Sequence, residues 1–233
     1  TTTTNVLIND VIIETVYGGG NNAVTTTANI KINDGNLQDV FGGGNQAITT
    51  TTNVEIHGGI ISNIYGGGNQ AGATTTNIEL FSGSINNIFG GSNQSGDVTE
   101  SNVTTTEEEG KIPVVVTNLY GGNNAGGITT TPNIEITIGR IENVYGGGNK
   151  AEVASTNVIM SGGTAINVYG GGNAAAVNGS TNLEMTGGTV TNNVYGGGNE
   201  GIVKLNSIAN IKDTIVQGSV YGGGNGETAI VQG

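Results

Sequence analysis

The pattern aromatic-Gly-Gly-Gly-Asn returns nine times along this chain with small variations, and no other feature constrains the fold as strongly. Its aromatic residues are Tyr17, Phe41, Tyr65, Phe89, Tyr120, Tyr145, Tyr169, Tyr195 and Tyr221, most of them about 24 residues apart. Asn21, Asn45, Asn69, Asn93, Asn123, Asn149, Asn173, Asn199 and Asn225 follow the glycines. A fixed short period marks an array in which each repeat is one structural unit stacked on the next.

Each unit carries strand signals. In Asn77-Ile78-Glu79-Leu80 the aliphatic residues alternate with polar ones, the period of two expected of a half-buried strand. The signal recurs at Ile30/Ile32, Val54/Ile56, Ile134/Ile136, Val158/Met160 and Leu183/Met185, with Lys31, Glu55, Glu135, Ile159 and Glu184 facing outward. A glycine turn follows in several units. A second strand then runs into the aromatic motif, with aliphatic pairs Leu37/Val40, Ile61/Ile64, Ile85/Ile88 and Ile141/Val144. A spacing of three cannot lie on one face of a flat strand, so a corner is expected at Asp39, Asn63, Asn87 and Asn143. Helix is excluded, because glycine, threonine and asparagine fill every unit and no stripe at i, i+3, i+4 is present.

These signals predict an all-β fold: a parallel β-solenoid of about nine coils of ~24 residues, right-handed, spanning residues 1–233 as one domain. Coils spaced by roughly 4.8 Å make a rod near ~45 Å long. A β-propeller or stacked hairpins fit less well, since propeller blades need about 40 residues. The interval from Phe89 to Tyr120 is longer than the rest, and its excess, around residues 104–113, reads as a loop bulging from one coil.

Composition narrows the function classes. The 44 glycines and a hydrophobic share of 34% suit a thin continuous core. A disordered Gly-rich chain would lack the regular Ile and Val. There is no cysteine for disulfides or thiolate metal sites, and no apolar run long enough to span a membrane as a helix. A net charge of -12 with six scattered basic residues argues against nucleic acid as a partner. The chain opens inside a repeat and does not begin with Met, as expected of a processed product or a piece of something longer.

Stacking turns repeated residues into columns, and each column has a structural and a functional reading. The aromatics are expected either to stiffen the rod by stacking or to face outward as a shelf for sugar rings. The asparagines after the glycines are expected to form a structural amide ladder. If strand polarity holds, Thr25 with Thr27, Thr49 with Thr51 and Thr129 with Thr131 point outward, a rank similar to ice-binding faces that is lost in later coils. Glu55 and Glu79 are neighbours that a Ca²⁺ would relieve, but the calcium-binding Gly-Gly-x-Gly-x-Asp pattern is missing and no cofactor is expected. His57 has no companion ligands in the sequence and reads as a surface residue. No nucleophile elbow, phosphate loop or paired acid-base site is visible, so no enzymatic activity is expected.

The unit Gly-Gly-x-(Ile/Val)-x-Asn-Val-Tyr-Gly-Gly-Gly-Asn-x-Ala, seen from Gly162 to Ala174 and again from Gly187, resembles repeats of Gly-rich, adhesin-like bacterial surface proteins. That resemblance implies an extracellular structural or adhesive protein at a bacterial cell surface, a rod or filament. Self-association, head-to-tail or lateral, and glycans are the partners it brings into view. Neither terminal repeat looks capped, which is the sequence argument for coils stacking between molecules.

Overall fold

The structure is a computed structural model that describes residues Thr2–Gly233; Thr1, the first residue of the opening threonine run, lies outside the described residues. It is all-β, and its strands form one continuous parallel stack. Each strand pairs with its counterpart one repeat away and never within its own coil. Thus Val54, Glu55 and Ile56 pair with Ile78, Glu79 and Leu80, and Ile61, Asn63 and Ile64 with Ile85, Asn87 and Ile88. Parallel pairing at one repeat is the signature of a solenoid; hairpins and propeller blades would pair antiparallel within the unit.

A coil has three segments. The first strand is Thr25–Ile32 in the second coil and Thr129–Ile136 in the sixth, and the second strand is Gly35–Phe41 and Arg140–Tyr145 respectively. In two coils the strands run on without interruption, over Thr49–Tyr65 and Ala73–Phe89. The third segment is the glycine-asparagine return, and where it meets the first strand parallel bridges join Thr129, Val153, Val177, Val203 and Val231 from coil to coil.

Alternation along the first strand buries the residues that its period of two selects: Ile30, Ile32, Val54, Ile56, Ile78 and Leu80 are at most 2% exposed. Opposite them lie Leu37, Val40, Ile61, Ile64, Ile85 and Ile88 from the second strand, and together they make one aliphatic column. The spacing of three in the second strand is a corner, but it falls at Gln38 and Ser62, one residue before the expected Asp39 and Asn63. Leu37 pairs with Ile61 and Asp39 with Asn63, while Gln38 and Ser62 drop out of the register between them.

A second corner falls where the sequence shows only a threonine run. Thr25 pairs with Thr49 and Thr27 with Thr51, and Thr26 and Thr27 both donate their amide N–H to the Thr2 carbonyl. The chain therefore bends at Thr26, and Thr25 turns inward. Thr25, Thr49 and Thr129 are buried rather than outward, so the expected flat rank of paired threonines does not exist.

Candidate functional site

The recurrent side chains close on one another. Consecutive aromatic rings from Tyr17 to Tyr221 stack with centroids 4.7–5.0 Å apart and planes within 10°. The rise per coil sets this spacing, and near-parallel rings at that distance are slipped stacks, the favourable arrangement. The rings from Phe41 to Tyr195 are 3–7% exposed, so the outward aromatic shelf is overturned: each ring face is covered by the next. The physical reason is the end of the second strand, where the backbone bends into the glycines. Val40 and Phe41, though adjacent, both turn inward, one to the aliphatic column and the other to the aromatic one. Burial pushes the phenols of Tyr65, Tyr145 and Tyr169 up to about 12, with Asp39 adding to the effect at Tyr65 and neighbouring phenols at the other two.

The glycines of the motif are demanded by close approach, not by backbone conformation. None of the glycines between Tyr65 and Asn69 has positive φ. At these bends the Cβ direction lies along the rod axis, so a methyl on Gly66 would overlap the Gly90 carbonyl oxygen of the next coil. Glycines of the interstrand turn serve the other purpose: Gly59 and Gly83 sit at φ of 95° and 110°.

A hydroxyl strut braces the glycine bend from inside. Thr52, Thr76 and Thr156 donate to the carbonyls of Gly66, Gly90 and Gly170 at 2.6 Å, and Thr181 to Gly196 at 2.7 Å. Ala28 and Pro132 occupy the same column and have no hydroxyl to offer. Three residues before this strut, at the start of the same strand, the buried threonine is less well served. The Thr49 hydroxyl is buried without a hydrogen-bond partner.

Three ladders built on asparagine run along the outside. Behind the glycines, Asn45 donates through Nδ2 to Asn21 Oδ1 at 2.8 Å, and the relation repeats through Asn69, Asn93, Asn124, Asn149, Asn173, Asn199 and Asn225. The ladder residue in the fifth coil is Asn124, which corrects the assignment of Asn123. That coil reads Tyr-Gly-Gly-Asn-Asn, and Asn123 takes the place of the third glycine. Its amide is fully buried: Oδ1 accepts from the Ser92 N–H and the Thr129 hydroxyl, and Nδ2 donates to the carbonyls of Gly96 and Gly126.

The other two ladders escaped the sequence reading, although a 24-residue recurrence of asparagine was there to be seen. One joins Asn5, Asn29, Asn53, Asn77, Asn102, Asn133, Asn157 and Asn182 on the first strand. The other begins at Asp39 and runs through Asn63, Asn87, Asn118, Asn143, Asn167 and Asn192 at the second-strand corner.

His57 is not a solitary surface residue. It is 9% exposed, its ring stacks on Phe81 at 4.3 Å, and its nitrogens face two carboxylates, Glu108 at 2.7 Å and Glu55 at 3.5 Å. Glu108 belongs to the insertion, which begins at Thr106, since the preceding strand runs over Val98–Thr105. Glu55 and Glu79 are register partners; Glu55 is paired with Lys31 at 3.5 Å, and Glu79 accepts a hydrogen bond from the Thr106 hydroxyl at 2.9 Å. No cluster of His, Cys, Asp and Glu suited to a metal ion occurs among the described residues.

Two open grooves of about 430 Å³ each lie on the outer faces. One is bordered by Asn5, Asn29 and Asn53 opposite Leu7, Lys31 and Glu55, the other by Gln46 and Gln70 over Gly72 and Gly96. Fold and columns together define the molecule as a parallel β-solenoid repeat protein. Comparison with protein-family models, curated proteins and solved structures gave no significant match.

Proposed function

We propose that the chain is a structural segment of an extracellular bacterial surface protein, a stiff rod that serves as a stalk or adhesin shaft. What supports this is the use made of the repeat: the aromatics and the asparagine ladders are committed to coil-to-coil contacts, and the threonine struts brace the bend within each coil. A rod built this way resists bending because any kink breaks ladder hydrogen bonds on one side and unstacks rings on the other. Each ladder bond contributes about 0.5–1.5 kcal/mol. Electron microscopy and small-angle scattering of the purified chain test the reading. Rigid particles with a long axis of about 40 Å are expected, and a flexible, expanded scattering profile would refute it. Fibres longer than one molecule would extend the reading to a filament subunit. Protease shaving of intact producing cells checks the location: an extracellular rod is released, whereas an internal protein is retained.

Glycan binding is a second reading, now moved from the buried rings to the grooves. The favouring observation is the pair of amide rows, Asn5–Asn29–Asn53 and Gln46–Gln70–Gln94, each joined by hydrogen bonds along the rod. Their remaining donors and acceptors suit sugar hydroxyls. Amide shifts of Asn29 or Gln70 in NMR titrations with oligosaccharides would favour it, and unperturbed side chains would dispose of it.

A further inference from the structure

The insertion carries an inference that the rod itself does not need. We propose that residues 106–113 form a strap across the outside of the solenoid, fastened by a proton-operated latch at His57. The strap leaves the stack at Thr106, whose N–H donates to the Leu80 carbonyl at 2.9 Å and whose hydroxyl donates to Glu79. It then reaches back to the third coil, where Glu108 meets His57 Nδ1 at 2.7 Å. A tight turn, with the Lys111 N–H bonded to the Glu108 carbonyl and Gly110 at φ 78°, closes the strap on itself. No other coil has such a segment, and no other coil carries a histidine.

The chemistry of the latch follows from donor counting. Both ring nitrogens of His57 face carboxylate oxygens, Nδ1 that of Glu108 and Nε2 that of Glu55. An imidazolium donates to both, and the bond to Glu108 becomes charge-assisted. A neutral imidazole has one N–H, so one nitrogen turns a lone pair toward a carboxylate. The other charged groups around the latch are Lys31 on Glu55, Glu79 under Thr106, and Glu107, Glu109 and Lys111 within the strap. Carboxylates outnumber ammonium groups there, and the charge that fits between Glu55 and Glu108 is positive. Stacking on Phe81 at an interplanar angle of 9° fixes the ring so that both contacts are made together. Acid therefore closes the strap, and loss of the second proton weakens its hold.

The chain has a single histidine, so substitution of His57 isolates the latch from the rest of the rod. Hydrogen exchange of the peptide covering residues 104–116, normalised to intrinsic exchange at each pH, reads strap opening directly. Wild type is expected to protect this peptide about tenfold more at pH 5.5 than at pH 8. His57→Phe, which keeps a ring on Phe81, and Glu108→Gln should each flatten that dependence and leave exchange of the aromatic and aliphatic columns unchanged. Equal protection at both pH values in wild type would overturn the latch. So would a pH response that persists in His57→Phe.

Discussion

Two threonines three residues apart on one strand should respond oppositely to the same substitution. Thr49 sits at the start of the strand Thr49–Tyr65, fully buried beneath the glycine bend, with its hydroxyl unpaired. The same column holds Val98 one pairing beyond Ala73, and later Val153, Val177 and Val203, all 0% exposed. Valine is thus already accommodated by this backbone. Thr49→Val removes a buried hydroxyl without a partner, a desolvation cost of about 1–3 kcal/mol, and adds a buried methyl. The expected gain is about 1–2 kcal/mol, or a rise in Tm of roughly 2–8 °C for a chain of this size. Thr52, in contrast, donates to the Gly66 carbonyl at 2.6 Å in a fully buried site. Thr52→Val strands that carbonyl and should cost about 1–3 kcal/mol. Thermal and guanidinium unfolding of the two variants, followed by circular dichroism and compared with wild type, measures both signs. Loss of stability in Thr49→Val, or equal effects of the two, would refute the assignment of the orphan hydroxyl.

The glycines of the motif should be intolerant for steric reasons. Gly66→Ala drives its methyl into the Gly90 carbonyl and within 2.9 Å of Thr76 Cβ, at a cost of about 3 kcal/mol or more, whereas Gly222→Ala, at the corresponding bend with nothing within 4 Å, should change the denaturation midpoint little. Alkali should unfold the rod through its phenols. Tyr65, Tyr145 and Tyr169 are held up to about 12, above the ordinary 10.0, so their protonated form stabilises the fold fully below about pH 10, and that contribution is lost as pH rises through 12. Phenolate absorbance and circular dichroism recorded together from pH 9 to 12.5 should show late-ionising tyrosines whose titration accompanies unfolding; full ionisation near pH 10 in a folded chain would contradict the burial of the rings. Asn123→Asp should be severe although nearly isosteric, because an oxygen replaces the Nδ2 that donates to Gly96 and Gly126. Two carbonyls then face a carboxylate in a buried site, costing about 3 kcal/mol or more by the same unfolding assay.

Much of the fold is legible in the sequence because two periodicities are superposed, about 24 along the chain and two along each strand. The inward identity of Ile78 and Leu80 follows from alternation alone, and the corner in the second strand follows from the spacing of Ile85 and Ile88. What alternation cannot report is where a strand stops being flat. Thr25 turns inward because the chain bends at Thr26, and threonine is equally at home on both sides of such a bend. The aromatic column is hidden by the same effect: Val144 and Tyr145 both face inward because the strand ends between two cores, a fact about the third segment and not about the second. His57 was illegible for a different reason. Its partner Glu108 lies 51 residues away in a segment that repeats nothing, so neither period carries information about it.

The irregular coils show which feature of the repeat the fold obeys. In the coil of Tyr120 the motif is altered, and the ladder takes Asn124 while Asn123 fills the space of a glycine. Before Tyr195 the second strand is interrupted, over Thr189–Val190 and Val194–Tyr195, and of the adjacent pair Asn192 and Asn193 it is Asn192 that joins the ladder. Asn193 is put to other use, donating to the Tyr195 hydroxyl in its own coil and accepting from the Ser219 N–H of the next. In both places the local sequence shifts and the column does not. The reason is energetic. A ladder residue out of register loses bonds to the coils on both sides and leaves their amides unpaired, whereas an extra residue in a bend disturbs only its own coil. That the fold follows the columns, rather than the motif as a string, also explains how residues 106–113 are accommodated. The strap leaves after Thr105 and returns at Val115, and both strands keep the pairing of their neighbours across it, Leu80 with Thr105 and Ser84 with Val115. The strap thus hangs outside every column, where a new contact such as that of Glu108 with His57 arises without cost to the stack.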